Sequence, residues 1–236
     1  MIYRCLDAFR EIFHDGPYRH RVSTHGDRAS MQLFEDLYVV GSSDKFNARV
    51  DSAQSVLNTK NQRQGVKARR GDGTFGIASP HVPAIIDDGF QVARGPVAQV
   101  ELGVEVKILA KAMGKQIERV VTDLSRQADQ FKSVSPNCIT AGIVAVNQAD
   151  HAVSWEGDRS YPTDGSAGFR HPIQEWRAVT TRLNQEARPK FDEFLVIPFR
   201  ATNELPYDFG WVNAALTRDD YGAMLVRLGL LYETRT

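Results

Sequence analysis

The chain has 236 residues, and its 29 lysine and arginine residues balance its 29 aspartate and glutamate residues, so the formal net charge is zero. This length predicts one elaborated domain or two small ones, and it is sufficient for a hydrophobic core. The balanced charge excludes a strong overall field that would attract nucleic acid or a membrane, although local basic patches can still do so.

The sequence contains no segment with the properties of a membrane span or a signal peptide. No run approaches the roughly 18 to 20 apolar residues that cross a bilayer. The first segment, MIYRCLDAFREIF, lacks the apolar run and cleavage site of a signal peptide. Cys5 and Cys138 have no spacing that indicates a disulfide framework or a zinc cluster. We therefore expect a soluble, cytoplasmic protein.

The first part of the chain is predicted to be helical. Short helices are expected over 1–13 and 30–40. Residues 42–60, SSDKFNARVDSAQSVLNTK, carry apolar residues at helical spacing after Ser43 or Asp44, either of which can cap a helix.

Extended segments follow. A short strand is predicted over 74–78, preceded by the stretch GDGTFG. That stretch lacks the lysine of a phosphate-binding loop and leads into a strand, so we interpret it as a turn. Residues 85–109, IIDDGFQVARGPVAQVELGVEVKIL, contain two extended runs separated by Gly95 and Pro96, which predicts a hairpin.

The second half alternates between helical and extended patterns. A helix is predicted to start after Gly114 and to stop at Ser135. The apolar, β-branched run over 138–148 is typical of a strand covered on both faces and lying parallel to a neighbour. A loop, a helix, a strand and a helix are expected to follow in that order, over 154–170, Pro172–Glu186, 191–200 and Leu216–Leu231.

These elements predict an α/β fold with a mixed central β-sheet flanked by helices. We expect one domain over 1–236, with a core over 44–147 and a carboxyl-terminal addition over 148–236 that serves recognition or dimerisation.

The stretch ELGVEVKIL carries acidic and basic residues within an apolar strand pattern. In an extended chain Glu101, Glu105 and Lys107 point to one face. A solvated strand face would explain the pair of Glu105 and Lys107. In a central strand, however, burying an unpaired charge costs roughly several kcal/mol. Such a charge is usually retained because it binds a metal ion or takes part in a reaction.

Metal-dependent phosphodiester hydrolysis needs this set of groups. Two carboxylates from adjacent strands can hold Mg²⁺, and a nearby ammonium can orient or deprotonate the attacking water. Asp87 and Asp88 lie on the preceding predicted strand, so the expected hairpin would bring one of them to Glu105.

The chain resembles the PD-(D/E)xK nuclease superfamily, which includes most type II restriction endonucleases. The resemblance rests on the motifs IIDDGF and VEVK and on the predicted order of elements over 44–147, which is helix, three strands, helix, strand. The resemblance implies a restriction-endonuclease-like core, with Asp88 or Asp87 and Glu105 as Mg²⁺ ligands. It further implies a ligand role for the Val106 carbonyl and a place for Lys107 beside the attacking water.

The choice between the two aspartates stays open at this point. The proline that precedes the first aspartate in the superfamily is replaced by Ile86. Spacing favours Asp88, whereas alternation with the following apolar residues favours Asp87. Glu101 and Glu35 are additional candidates for acidic residues of the site, and the alternative for each is a glutamate that is simply exposed to solvent.

A basic stretch, KNQRQGVKARRGDG, precedes the candidate site. Its Arg63, Lys67, Arg69 and Arg70 are expected to contact DNA phosphates or base edges, with a merely solvated loop as the alternative.

We therefore expect a Mg²⁺-dependent, sequence-specific endonuclease of duplex DNA, resembling a type II restriction enzyme. A palindromic target would require a homodimer, and a restriction role leaves room for a cognate methyltransferase as a partner. The alternatives are a repair, recombination or phage-defence nuclease of the same superfamily, and a non-catalytic DNA-binding or interaction protein.

Overall fold

The computed structural model describes residues 2–14, 16–19, 24–58 and 72–236. Its fold is mixed α/β, with a central sheet flanked by helices. The helices are α1 (Arg4–His14), α2 (Thr24–Val40), α3 (Asp44–Asp51), α4 (Met113–Val134), α5 (Pro172–Arg182) and α6 (Ala214–Arg235). The strands are β1 (Ser55–Leu57), β2 (Gly73–Ala78), β3 (Val97–Leu109), β4 (Ile139–Asn147), β5 (Val153–Glu156), β6 (Arg159–Pro162), β7 (Glu193–Ala201) and β8 (Phe209–Trp211).

Six of these strands form one sheet in the order β1-β2-β3-β4-β7-β8. The central strands β3, β4 and β7 are parallel, and the outer pairs are antiparallel. Every residue of β4 is buried, so the prediction of a strand covered on both faces is confirmed. Because β7 pairs directly with β4, the sheet extends past residue 148 into the segment expected to be an addition.

Helices cover both faces of the sheet. On one face, α1, α2 and α6 pack with Leu102, Val104 and Val106 of β3. On the other, α4 and α5 pack with Leu109. The apolar face predicted for β3 is therefore confirmed, and it is the face toward α2 and α6.

The helix expected over 42–60 is correct only in its first half. Ser43 is the N-cap, and its side chain accepts a hydrogen bond from the Phe46 amide at 3.0 Å. The helix ends at Asp51, and Ala53 takes a left-handed φ of 52°. Residues Ser55–Leu57 then form β1, since burial against β2 outweighs their weak helical pattern.

The hairpin expected over 85–109 is wrong. The antiparallel partner of β3 is β2, and the chain between them is a loop with an isolated bridge between Ile85 and Arg94. A second correction concerns 154–170, expected to be a loop, where β5 and β6 form a two-stranded sheet. The first error arose because pairing depends on distant partners that periodicity does not specify. The second overlooked a local hairpin, in which only Gly157 and Asp158 separate the two strands.

Among the described residues, no helix is both long and apolar enough to span a bilayer.

A β-bulge interrupts β3 at Glu101. Phe75 pairs with Leu102 and Gly76 with Val100, so Glu101 is the extra residue. The bulge turns Glu101 toward α3 and α6, where its carboxylate forms an ion pair with Arg49. The same carboxylate accepts hydrogen bonds from Ser55 Oγ at 2.8 Å and from the Tyr232 hydroxyl at 2.6 Å. This buried network joins β3 to α3, β1 and α6.

We predict that Glu101→Ala lowers the free energy of unfolding by about 3 kcal/mol, because it leaves Arg49 and two hydroxyl groups without their partner. Denaturant unfolding followed by circular dichroism measures the loss. The matched control is Glu118→Ala, since the Glu118 side chain is 78% exposed in its pair with Arg182, and it should change stability little. Equal effects of the two substitutions would contradict the structural role of Glu101.

Candidate active site

The candidate site is built on β3, where Glu105 and Lys107 point to the same face because side chains alternate along a strand. Lys107 Nζ donates a hydrogen bond to Glu105 Oε1 at 2.5 Å. The Glu105 side chain is 7% exposed and the Lys107 side chain is 30% exposed. The two predicted residues therefore form a largely buried ion pair whose cationic side retains access to solvent.

Asp72 is the third charged residue of the site, and the sequence interpretation missed it. It directly precedes β2, whose register pairs Gly73 with Val104 and so brings Asp72 beside Glu105. Asp72 Oδ2 accepts a hydrogen bond from the Val106 amide at 2.8 Å. The available signal was an acid immediately before a short strand, but GDGTFG was interpreted as a turn.

The main chain of Val106 contributes to the same edge. In a strand, the N–H and C=O of one residue leave on the same side. Since the Val106 amide points to Asp72, its carbonyl faces that side too, just beyond the first residue of β2. The position expected for a carbonyl ligand is therefore next to the two carboxylates.

Burial dominates the electrostatics of Glu105. It raises the pKa of this carboxyl group to about 7, with the negative charge of Asp72 as the next cause, while Lys107 acts in the opposite direction. Glu105 Oε2 is buried and has no hydrogen-bond partner among the described residues. A buried carboxylate oxygen without a partner is costly, so the site as it stands favours a proton or a cation at this atom.

Lys107 is held in its charged form. Burial alone lowers the pKa of this ammonium, but the charges of Glu105 and Asp72 outweigh burial and hold the pKa above its ordinary value. At neutral pH Lys107 is therefore a hydrogen-bond donor and a positive charge.

The structure does not bring Asp87 and Asp88 to this site. Arg94 forms an isolated bridge with β1 on the edge away from β2, and its guanidinium pairs with Asp87. Arg94 lies close to Val97, the first residue of β3, whereas Glu105 lies eight residues farther along this strand, roughly 26 Å from Val97. Asp88 is exposed in the same loop. The expectation failed because the loop that carries both residues is not the antiparallel neighbour of β3.

The two additional acidic candidates have structural partners instead. Glu101 belongs to the buried network with Arg49 described above. Glu35 is buried on α2, and its two oxygens accept the Gln91 and Val92 amides at 2.9 Å and 2.8 Å. Glu35 thus anchors the loop that carries Asp87 and Asp88.

The basic residues predicted to contact DNA, Arg63, Lys67, Arg69 and Arg70, lie outside the described residues.

Helix α2 holds Asp72 in place. Ser30 Oγ donates to the Asp72 carbonyl at 2.8 Å. The Asp72 carboxyl group packs against Gly26 so closely that a Cβ at position 26 would overlap it. The first turns of α2 therefore fix both the backbone and the carboxyl group of Asp72.

The oxygen atoms gathered here suit a hard cation such as Mg²⁺, which is commonly bound through one or two protein carboxylates together with water and substrate oxygens. The described residues contain no cluster of three or more histidine, cysteine, aspartate or glutamate side chains that could enclose a metal ion.

We predict that, without divalent metal, stability falls as pH rises from about 4.5 toward 7. The folded state keeps the Glu105 proton up to a pKa of about 7, whereas the unfolded state releases it near the ordinary value, so the folded state binds more protons in this window. Urea unfolding of the wild type and of Glu105→Gln across this range measures the effect, with exposed Glu118→Gln as the control. An unchanged slope in Glu105→Gln would assign the pH dependence to other groups.

Comparisons of the chain with models of known protein families, with curated proteins and with solved structures find no significant match.

Proposed function

We propose that this protein is a Mg²⁺-dependent endonuclease that hydrolyses phosphodiester bonds in duplex DNA, resembling a type II restriction enzyme. The main support for the proposal is that Asp72, Glu105 and Lys107 lie close together at the paired strands β2 and β3. In addition, Glu105 Oε2 is buried and has no hydrogen-bond partner among the described residues.

Asp72 and Glu105 would hold the metal ion, with the Val106 carbonyl as a further ligand. Asp72 takes the role that the sequence interpretation assigned to Asp87 or Asp88, and it lies at the start of the strand paired with the E-x-K strand. When bound, Mg²⁺ polarises a phosphoryl oxygen and lowers the pKa of a coordinated water. A cation would also relieve the cost of the unpartnered Glu105 oxygen.

Lys107 acts as a fixed cation in this proposal. Its raised pKa favours a donor that orients the attacking water and offsets charge developing on the phosphoryl group. It argues against Lys107 as the group that removes the proton from water, because a general base must be unprotonated at the working pH.

One such cluster cuts one strand, so a double-strand break at a palindromic site calls for a homodimer with two facing sites. A restriction role would also add a cognate methyltransferase as a partner. A repair, recombination or phage-defence nuclease would use the same cluster on a different substrate.

We predict that Asp72→Asn, Glu105→Gln and Lys107→Ala each reduce Mg²⁺-dependent plasmid cleavage about a hundredfold or more, because each removes metal or transition-state interactions. Affinity for duplex DNA, measured by fluorescence anisotropy in Ca²⁺, should survive. Asp88→Asn is the matched control and should cut like the wild type, since Asp88 is exposed in a separate loop.

The same digest distinguishes the alternatives. Linear product with defined ends supports a dimer that cuts both strands, whereas scattered nicks favour a repair or structure-specific nuclease. Binding without any cleavage by the wild type would indicate a non-catalytic DNA-binding protein. Wild-type activity in folded Asp72→Asn would remove Asp72 from the site.

We predict that Gly26→Ala weakens divalent-metal binding but changes the stability of the fold by only about 1 kcal/mol, because the gain in helix propensity offsets much of the lost hydrogen bond from the Val106 amide. The added methyl group must displace the Asp72 carboxyl group, while alanine is favoured over glycine within a helix by about 1 kcal/mol. Calorimetric titration with Mg²⁺ or Ca²⁺ and thermal unfolding measure the two effects separately. Gly210→Ala serves as the control, because no atom lies within 4 Å of a Cβ at that position. Unchanged metal affinity would show that Asp72 tolerates the displacement.

A further inference from the structure

A second concave surface adjoins the end of β3. It is a cleft of about 280 Å³ between the start of α4, the β5–β6 hairpin and the segment before α5. We call it the basic cleft and define it by five of its lining residues: Lys111, Lys115, Tyr161, Phe169 and Arg170.

Within the described part of the chain, the three cations of the basic cleft have no carboxylate partner. Lys111 Nζ donates to Ser154 Oγ at 3.2 Å and to the Tyr161 carbonyl. Lys115 Nζ donates to the Gly168 carbonyl at 2.8 Å. The Arg170 guanidinium is exposed and forms no ion pair or hydrogen bond in the part of the chain that the structure describes.

Other surface cations are neutralised by carboxylates. Arg182 pairs with Glu118 and Glu186, and Arg227 pairs with Glu193. In a concave surface, cations without partners raise the local positive potential. That potential favours an anionic ligand.

Two carboxylates also line the basic cleft, and they leave an excess of positive charge. Glu175 accepts the Met113 amide at 2.8 Å, so it already caps the amino end of α4. Glu156 lies on the β5 side. Among the described residues that line the basic cleft, three cations stand against two anions, so a net positive charge remains to attract a ligand.

The environment of Lys111 points in the same direction. Burial, and then the positive charge of Lys115, lower the pKa of Lys111. A negatively charged ligand between the two lysines would relieve both effects.

The location of the basic cleft indicates which anion would bind. Lys111 follows Lys107 by four positions, and β3 ends between them at Leu109, so their Cα atoms lie at most about 13 Å apart. Duplex DNA advances about 3.4 Å per nucleotide along its axis, so this distance spans at most about four nucleotides. A strand whose phosphate lies at Lys107 therefore has other phosphates, a few nucleotides away, within reach of the basic cleft.

The aromatic rim favours a nucleic acid over a small anion. The Phe169 side chain is 50% exposed and that of Tyr161 is 37% exposed. Lys115 Nζ lies 5.8 Å from the centre of the Phe169 ring. Exposed rings interleaved with cations are characteristic of proteins that bind single-stranded nucleic acid.

We propose that the basic cleft binds a backbone phosphate of the DNA substrate a few nucleotides from the cleaved bond, with Lys111, Lys115 and Arg170 as its ligands. This inference rests on the proposed nuclease function and adds a substrate-binding site outside the residues that hold the metal.

The test measures duplex DNA affinity of the full chain in EDTA at several salt concentrations by fluorescence anisotropy. The double variant Lys111→Gln/Lys115→Gln should bind about tenfold or more weakly, and its salt slope should fall by about two.

The matched control is Lys132→Gln/Lys190→Gln. It makes the same change in charge near the carboxyl end of α4, where Lys132 lies 17 residues, about 26 Å along the helix, from Lys115, and it should bind like the wild type. Arg170→Gln removes an exposed side chain that has no hydrogen-bond or ion-pair partner among the described residues. It therefore tests the cleft without risk to folding, and its salt slope should fall by about one.

The outcomes separate the two proposals. A wild type that cuts DNA, together with both cleft variants binding at full affinity and with unchanged salt slope, overturns the basic cleft alone. Binding that depends on the cleft, without Mg²⁺-dependent cleavage, overturns the nuclease function alone. A wild type that binds no DNA at low salt overturns both.

Discussion

The antiparallel pairing of β2 with β3 is the constraint on which the rest of the site depends. Its register pairs Gly73 with Val104 and thereby sets Asp72 beside Glu105. Strand β2 begins at Gly73, and the carboxylate of the preceding residue, Asp72, accepts the hydrogen bond of the Val106 amide. The start of one strand thus creates the carboxylate pair and places the main chain of Val106 beside it.

The bulge in this pairing gives two glutamates of one strand opposite roles. Without the extra residue, Glu101 and Glu105 would share a face, since alternation repeats every second residue. With it, Glu101 turns to the side of α3 and α6 and meets Arg49 and two hydroxyl groups. Glu105 keeps only Lys107 as a side-chain partner and leaves one oxygen unpartnered in the described structure. The satisfied carboxylate stabilises the fold, whereas the unsatisfied one is suited to binding.

Helix α2 connects the site to the outer edge of the sheet. Near its start, Gly26 and Ser30 contact Asp72. Farther along, Glu35 binds two amides of the loop that leads into β3. One rigid helix therefore positions the beginning of β2 and anchors the chain that precedes β3, which explains why buried polar groups occur along a helix that also packs into the core.

The sequence by itself determined the elements whose signals are local. The periodicity of α4, the β-branched run of β4, the N-cap at Ser43 and the shared face of Glu105 and Lys107 all follow from neighbouring residues. Only the tertiary structure decided that Asp72, and not Asp87 or Asp88, meets this pair, and that Glu101 leaves its face. Strand pairing and bulges are chosen by the burial of distant segments against one another, and the spacing of residues along the chain does not specify which partner a strand takes.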